Sequence, residues 1–365
     1  RRVVDIATHR EGDGMGDAQP GVRLDLSGMS ARLVLAAASM LLAAMAALEI
    51  AGRVPSIQTQ FLAPSIGSAD RHVEIQVAYL DAYSERHGAP NCYFLGSSTV
   101  LRGISPSAFE DAMRQGGIDG LHCYNLGIQG MNALYAPTVA QALIEYSHPR
   151  LILYGADTAH VDPPTGHGAA QKALDSPCFQ YYLGDRSPES VAVAWLRSYR
   201  YLLMLNRFFQ PHFTDWWHES EKFDFKLDEQ GHVHSRPADR TNPIIFEGRN
   251  DDSQGAASSR FTPLQSNIDA IVQLAALPGP QQVVVGSMPL HPSYFANQPN
   301  NIQAYDRAKE KLESVTQANG LLYIPEPPRE MLYDDLWLNR LHLNAVGADV
   351  FGRYLGEHVS RAKAP

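Results

Sequence analysis

An α/β fold with a mainly parallel sheet is what the sequence predicts, and three observations carry that prediction. Short apolar runs recur at Cys92 to Leu95, Cys123 to Leu126, Leu151 to Tyr154, Val283 to Val285 and Leu321 to Ile324, with helix-length segments between them. That alternation is the signature of βαβ units. The run Val283-Val284-Val285 is β-branched throughout, as expected of a strand covered on both faces. Finally, 365 residues with 44% hydrophobic and 19% charged content suffice for a buried core and exclude wholesale disorder.

Residues 1–32 are polar, glycine-rich and mixed in charge, as in Glu11-Gly-Asp-Gly-Met-Gly-Asp17, which predicts a flexible tail. A start upstream of Arg1, at Met15 or at Met29 fits equally. Residues 33–53 are apolar apart from Ser39, Glu49 and the closing Arg53, with Arg32 just before them. Crossing a bilayer takes about 20 such residues, so the segment is long enough for one membrane helix or signal-anchor. A cleaved signal peptide, with Ala44-Met45-Ala46 as its small-residue site, and an alanine-rich core helix are the competing readings. Arg23 and Arg32 before the segment, against Arg53 after it, favour an N-terminus on the cytoplasmic side. Both membrane readings place the main domain outside the cytoplasm, or free it by secretion if the segment is cleaved.

Residues 54–91 read as a connector with a helix from Val73 to Arg86, whose apolar positions Ile75, Tyr79, Leu80 and Tyr83 share one face. The α/β domain proper is expected over 92–362. After the first strand, Ser105-Pro106-Ser107 opens a helix that Gly116-Gly117 stops. The second strand leads into a helix ending near Ile144, and the third ends at Gly155. The alternation then lapses over about 163–263, read as an insertion at the rim of the sheet. It holds a long helix from Ser190 to Phe209, an aromatic cluster at Phe213, Trp216 and Trp217, and a hairpin from Lys226 to His234 whose histidines, His232 and His234, are expected to face solvent. Helices over Leu264–Leu277, Ala304–Asn319 and Ala345 to about Ala362 complete the pattern. No internal repeat is visible.

Thirty basic against thirty-nine acidic residues give a net charge of −9, which argues against nucleic acid as the partner. Cys92, Cys123 and Cys178 are too few and scattered for a disulfide framework or a zinc site, and are read as buried packing thiols. Asp157, His160 and Asp162 cluster at a strand end without a convincing coordination set, and no Gly-x-Gly-x-x-Gly or phosphate loop follows a strand, so neither metal nor cofactor is expected.

Ligands of open α/β sheets gather outside the carboxyl ends of the strands, so Gly96-Ser97-Ser98 after the first strand presents a serine there. Taken alone, Gly-Ser-Ser is also ordinary turn chemistry. Together with Gly130 in Asn125-Leu-Gly-Ile-Gln-Gly130, Gly155-Ala-Asp157, and Asn339-Arg-Leu-His342 near the C-terminus, it resembles the ordered blocks of the SGNH (GDSL-type) hydrolases over roughly Cys92 to Glu357, the insertion excepted. His342-Leu-Asn with Gly347 following also resembles that block in membrane-anchored relatives. The resemblance implies a three-layer α/β/α, flavodoxin-like fold. It implies Ser98 as nucleophile, His342 as base, and oxyanion donors from Ser98, Gly130 and the third block.

Serine is a weak nucleophile until a base takes its proton, and histidine does so near neutral pH. Two positions depart from the family pattern. Asn339 stands where the family has aspartate, so the imidazole meets an amide; Asp334 or Asp335 looping back is the alternative. Asp157 stands where the family has an asparagine donor, and an ionised carboxylate only accepts hydrogen bonds. Local readings remain for each residue: Gly130 as a tight turn, His342 as a core-edge histidine, Asn344 as the N-cap of the last helix.

The expectation is therefore a membrane-anchored, extracytoplasmic SGNH-like esterase or O-acyltransferase. The resemblance implies an acetyl-type ester of a small molecule or of a cell-envelope or secreted polysaccharide. The alternatives are a non-catalytic SGNH-like glycan binder or assembly protein of an envelope complex, supported by Asn339 and Asp157, and a nucleotide-binding α/β domain.

Overall fold

A computed structural model describes residues 31–54, 56–57, 64–131, 133–156, 169–209, 227–233, 265–279, 281–295 and 300–363. The chain separates into Arg1–Met45 and a compact unit, Ala46–Pro365. Helix α1 (Ala31–Gly52) is long and apolar enough to cross a membrane or to act as a signal sequence.

Helix α2 (Arg71–His87) precedes the sheet, its N-terminus closed by Asp70, whose carboxylate accepts from His72 N and Val73 N. Val73, Val77 and Leu80 bury its inner face, so the helix of the expected connector packs into the core. Strand β1 (Cys92–Gly96) runs into α3 (Ser98–Gly103), then α4 (Pro106–Gln115), capped by Ser105. Next come β2 (Cys123–Gly127), α5 (Ala136–Ser147) and β3 (Leu151–Ala156).

The expected insertion contributes α6 (Ala169–Leu174), α7 (Pro177–Tyr182), α8 (Pro188–Trp195) and α9 (Arg197–Phe208). The single helix expected from Ser190 to Phe209 is thus two: Leu196 takes extended dihedrals at φ −108, ψ 108, and the apolar periodicity across it does not reveal the break. Then follow α10 (Gln265–Ala275), β4 (Gln282–Ser287), α11 (Asn300–Ala318), β5 (Leu322–Ile324) and α12 (Ala345–Lys363).

All five strands are parallel, in the order β2-β1-β3-β4-β5. Strand alternation sorts the core into two layers. Tyr93, Leu95, Ile152, Tyr154, Val283 and Val285 face α2, α5 and α10, while Phe94, Leu151, Leu153 and Val284 face α4 and α12. On α12, Phe351, Leu355 and Val359 recur every four residues and are fully buried. Each such side chain contributes about 1.5–3 kcal/mol of burial.

The cysteines correct the sequence reading. Parallel register sets Cys92 opposite Cys123 with Cα atoms 4.3 Å apart, and the pair forms a disulfide, leaving Cys178 free and buried. A separation of 31 residues hides this, because only strand pairing brings the two together.

The hairpin expected around Lys226–His234 is present as an antiparallel bridge between Leu227 and Val233. It packs against edge strand β2, where Gln230 O accepts from Asn125 N at 2.8 Å, and against α3, where Leu101 O accepts from Val233 N. His232, expected to face solvent, is fully buried there: its Nε2 lies 3.3 Å from Arg102 O and its Nδ1 3.6 Å from Asp228 Oδ2. His234 and the aromatic cluster at Phe213, Trp216 and Trp217 lie outside the described residues.

Candidate active site

The serine turn is built by close packing at the strand ends. Gly96 has φ +155, and a Cβ there would overlap Val100. At Gly127 a Cβ would sit 2.5 Å from Leu101 N. Both glycines let α3 settle directly onto the carboxyl ends of β1 and β2. Ser97 caps α3, accepting from Thr99 N at 3.2 Å, which leaves Ser98 as the first helical residue with its side chain half-buried.

Asn125 fastens the far end of this short helix. Fully buried on β2, its Nδ2 donates to Val100 O and Ile104 O, both at 2.9 Å, and its Oδ1 accepts from Gly127 N at 3.0 Å. A buried amide with donor and acceptor both engaged is a strong local constraint. The sequence reading used Asn125 only as part of a block; a polar residue inside an otherwise apolar strand is the signal that marks it.

His342 arrives from the other end of the chain on a loop closed by an antiparallel bridge between Trp337 and Leu343. Both residues are buried, and Trp337 Nε1 donates to Leu332 O at 3.2 Å. Leu338 N donates to His342 O at 2.9 Å, tightening the loop. Asn344 then caps α12: its Oδ1 accepts from Gly347 N at 3.0 Å and its Nδ2 donates to Asp335 O at 2.7 Å.

The structure brings Ser98, His342 and Asn339 together. Ser98 Oγ lies 2.9 Å from His342 Nε2, and His342 Nδ1 lies 3.1 Å from Asn339 Oδ1. Asn339 Oδ1 also accepts from Leu341 N and His342 N, each at 2.9 Å. Those two backbone donors fix the amide's orientation, since its NH2 group could not face them. The oxygen therefore faces the ring, Nδ1 carries the proton, and the Nε2 lone pair points at Ser98. That is the tautomer a general base requires.

Gly130 lies in the turn after β2, the strand beside β1, with φ +70 and open space where a Cβ would stand. Its glycine serves the backbone conformation rather than close packing. Ile128 N donates to Gly96 O at 2.8 Å, tying that turn to the serine turn. Asp157, with His160 and Asp162, lies outside the described residues. Of the carboxylates considered as partners for His342, Asp334 meets His291 Nε2 at 3.1 Å, while Asp335 presents its backbone carbonyl to Asn344.

Two partly buried carboxyls lie elsewhere beside the sheet. Burial pushes Glu110 up from the usual carboxylate range, although it accepts from Cys123 N and Gln230 Nε2. Glu326, after β5, is likewise pushed up by burial against the pull of Lys309, Tyr305 and Ser287. Among the described residues, no three His, Cys, Asp or Glu side chains gather as a metal site.

The fold and site together define an α/β chain with a serine–histidine–asparagine relay at the carboxyl ends of its strands. No protein-family model, curated protein or solved structure matches the chain.

Proposed function

We propose that the protein is an SGNH-like serine esterase or O-acyltransferase, held in the membrane by α1 with its main domain outside the cytoplasm. The observation that carries this reading is the 2.9 Å contact of Ser98 Oγ with His342 Nε2, the ring oriented by Asn339. Strand order β2-β1-β3-β4-β5 supports it, since the order reverses between β1 and β3 and the serine follows β1. The disulfide supports an oxidising compartment.

In this mechanism Ser98 Oγ attacks the acyl carbon as His342 Nε2 takes its proton. The oxyanion is held by backbone N–H groups, those of Ser98 and Gly130 by resemblance. Collapse expels the alcohol, which takes the proton from His342, and leaves acyl-Ser98. Water or an acceptor hydroxyl then attacks the acyl carbon as His342 Nε2 takes its proton; the acyl–Oγ bond breaks, Ser98 Oγ takes that proton back from His342, and acid or transferred ester leaves. The acetyl-type ester of a glycan is the substrate class that the family resemblance implies.

The test is labelling of the full chain in detergent by a fluorophosphonate, beside Ser98→Ala and His342→Ala. The reading expects the parent to label and both variants to fail. A folded parent that does not label removes the activated serine. That outcome favours the second reading, an inactive SGNH-like glycan-binding or assembly protein, for which the amide at Asn339 in place of a carboxylate is the specific support.

A further inference from the structure

Helix α9 is amphipathic in the reverse of the sense that water favours. Its arginines turn inward: Arg197 Nη1 lies 2.8 Å from Asp81 Oδ2 on α2, and Arg200, fully buried, bonds the same carboxylate. Apart from Asn206, its exposed positions are apolar. Leu202, Leu205 and Phe208 are 42%, 45% and 59% exposed, and Phe209 just beyond it is 81% exposed. At its other end, Trp195 and Leu196 are 62% and 43% exposed. Large apolar side chains exposed together at one helix mark a contact with something apolar.

The place of this surface in the fold says what that contact is. The last turn of α1 is fastened to the start of α9. Glu49 Oε2 accepts from Ser198 N at 2.9 Å, supplying the cap that α9 lacks from its own N-cap residue, Leu196. Arg53 pairs with Glu49 at 2.8 Å and donates to Trp195 O at 3.4 Å. Gly52 packs so closely that a Cβ there would lie 2.8 Å from both Arg197 Cβ and the Tyr201 ring. Glu49 and Arg53 are the first charges after Arg32, so a bilayer crossed by α1 ends at them. The apolar face of α9 therefore begins at the bilayer boundary. Trp195, hydrogen-bonded through Nε1 to Tyr181 OH at 2.8 Å, is the residue type that settles at that level.

We propose that Trp195, Leu196, Leu202, Leu205, Phe208 and Phe209 form a second membrane contact, by which α9 lies in the headgroup region of the bilayer that α1 crosses. This rests on α1 being retained as a membrane helix. The arrangement is that of an interfacial amphipathic helix. Two attachments, a spanning helix and a surface helix joined at Glu49 and Arg53, restrict the domain's tilt and hold the Ser98 site at a set height above the lipid.

The test uses the full chain in vesicles of phosphatidylcholine and phosphatidylglycerol, carrying one nitroxide at a time. Cys178 is buried and the other two cysteines are paired, so an introduced surface thiol is the site that reacts. Labels on Leu205→Cys and Phe209→Cys are compared with Leu41→Cys in α1 and with Arg353→Cys, exposed on α12 across the sheet. The readout is collision with lipid-soluble oxygen against a water-soluble nickel chelate. The expected result is a shift of the labels at 205 and 209 away from the aqueous value at 353 towards the lipid value at 41. Aqueous values at 205 and 209 with a lipid value at 41 overturn the surface contact and leave the anchor standing. Shielding of 205 and 209 from both reagents overturns it in favour of a second copy or another protein on this face. An aqueous value at 41 removes the anchor and the proposal with it.

Discussion

Asn339→Asp is the perturbation that separates geometry from charge at the site. Asn339 Oδ1 takes three hydrogen bonds, from Leu341 N, His342 N and His342 Nδ1. A carboxylate oxygen would accept the same three, so the loop and the tautomer are kept. The two backbone bonds are made equally in ground and transition states and cancel in the rate. The Nδ1 bond does not cancel, because in the proposed mechanism the ring becomes cationic as it takes the Ser98 proton. Charge-assisted hydrogen bonds are worth about 1.5–3 kcal/mol against about 0.5–1.5 for neutral ones. The difference, about 1–2 kcal/mol, corresponds to a rate gain of roughly 5- to 30-fold. An anion beside the ring also favours its protonated form, so the acid limb of the pH–rate profile moves to higher pH. The assay is the second-order rate of fluorophosphonate labelling of the full chain from pH 5 to 9. An unchanged rate and profile, with Ser98→Ala inert and Asn339→Asp as stable as the parent, would refute the claim that Nδ1 donates to residue 339 during proton transfer.

Three further outcomes follow from the same geometry. Asn125→Ala strips a buried partner from Ile104 O and Gly127 N, while Val100 O keeps its bond from Ile104 N, at about 1–3 kcal/mol for each group left unsatisfied; urea unfolding should show a loss of a few kcal/mol, and labelling of Ser98 should slow even where the variant is fully folded. Replacing both Cys92 and Cys123 by Ala reopens a loop of 31 residues, which chain entropy values at about 3–4 kcal/mol; a urea midpoint equal to the parent's would show that the bond does not form. Glu326 is raised above its ordinary 4.5 in the folded chain, so the folded state holds more protons than the unfolded one above that pH. Its contribution is full below the unfolded value and is lost as pH rises through the folded one. Glu326→Gln should therefore lose less stability than the parent as pH rises above 4.5, and equal slopes of urea midpoint against pH would contradict the burial argument.

Which parts of this molecule can be read from its sequence follows from how local their causes are. All five strands lie on short apolar runs, four of which end at a glycine and the fifth at Pro325, because a strand covered on both faces leaves a continuous signal. The caps at Ser105 and Asn344 are equally local. The break at Leu196 was missed because apolar periodicity runs through it, and a single extended residue leaves no pattern. Burial of His232 depends on the hairpin folding against α3, and the disulfide depends on β1–β2 register; both are contacts between segments distant in the chain. For the site, Ser98, Asn339 and His342 were legible as candidates, whereas the orientation of the Asn339 amide was not. It is decided by two backbone N–H groups whose direction only the closed loop fixes.

The two halves of the relay are secured by different means. Ser98 is held within a short stretch of the fold: Ser97 caps α3, and Asn125 of the neighbouring strand ties its carbonyls. His342 depends on Trp337 and Leu343 reaching the core across more than 240 residues of chain. A relay assembled from such distant parts needs the imidazole orientation fixed locally, or small shifts of the loop would turn Nε2 from the serine. Asn339 supplies that fixation through its backbone bonds, which an aspartate would supply equally. What an amide withholds is the countercharge for imidazolium. Under the proposed mechanism, an amide at this position keeps the geometry that a nucleophilic Ser98 needs and lowers its driving force, which is the distinction that the Asn339→Asp rate measures.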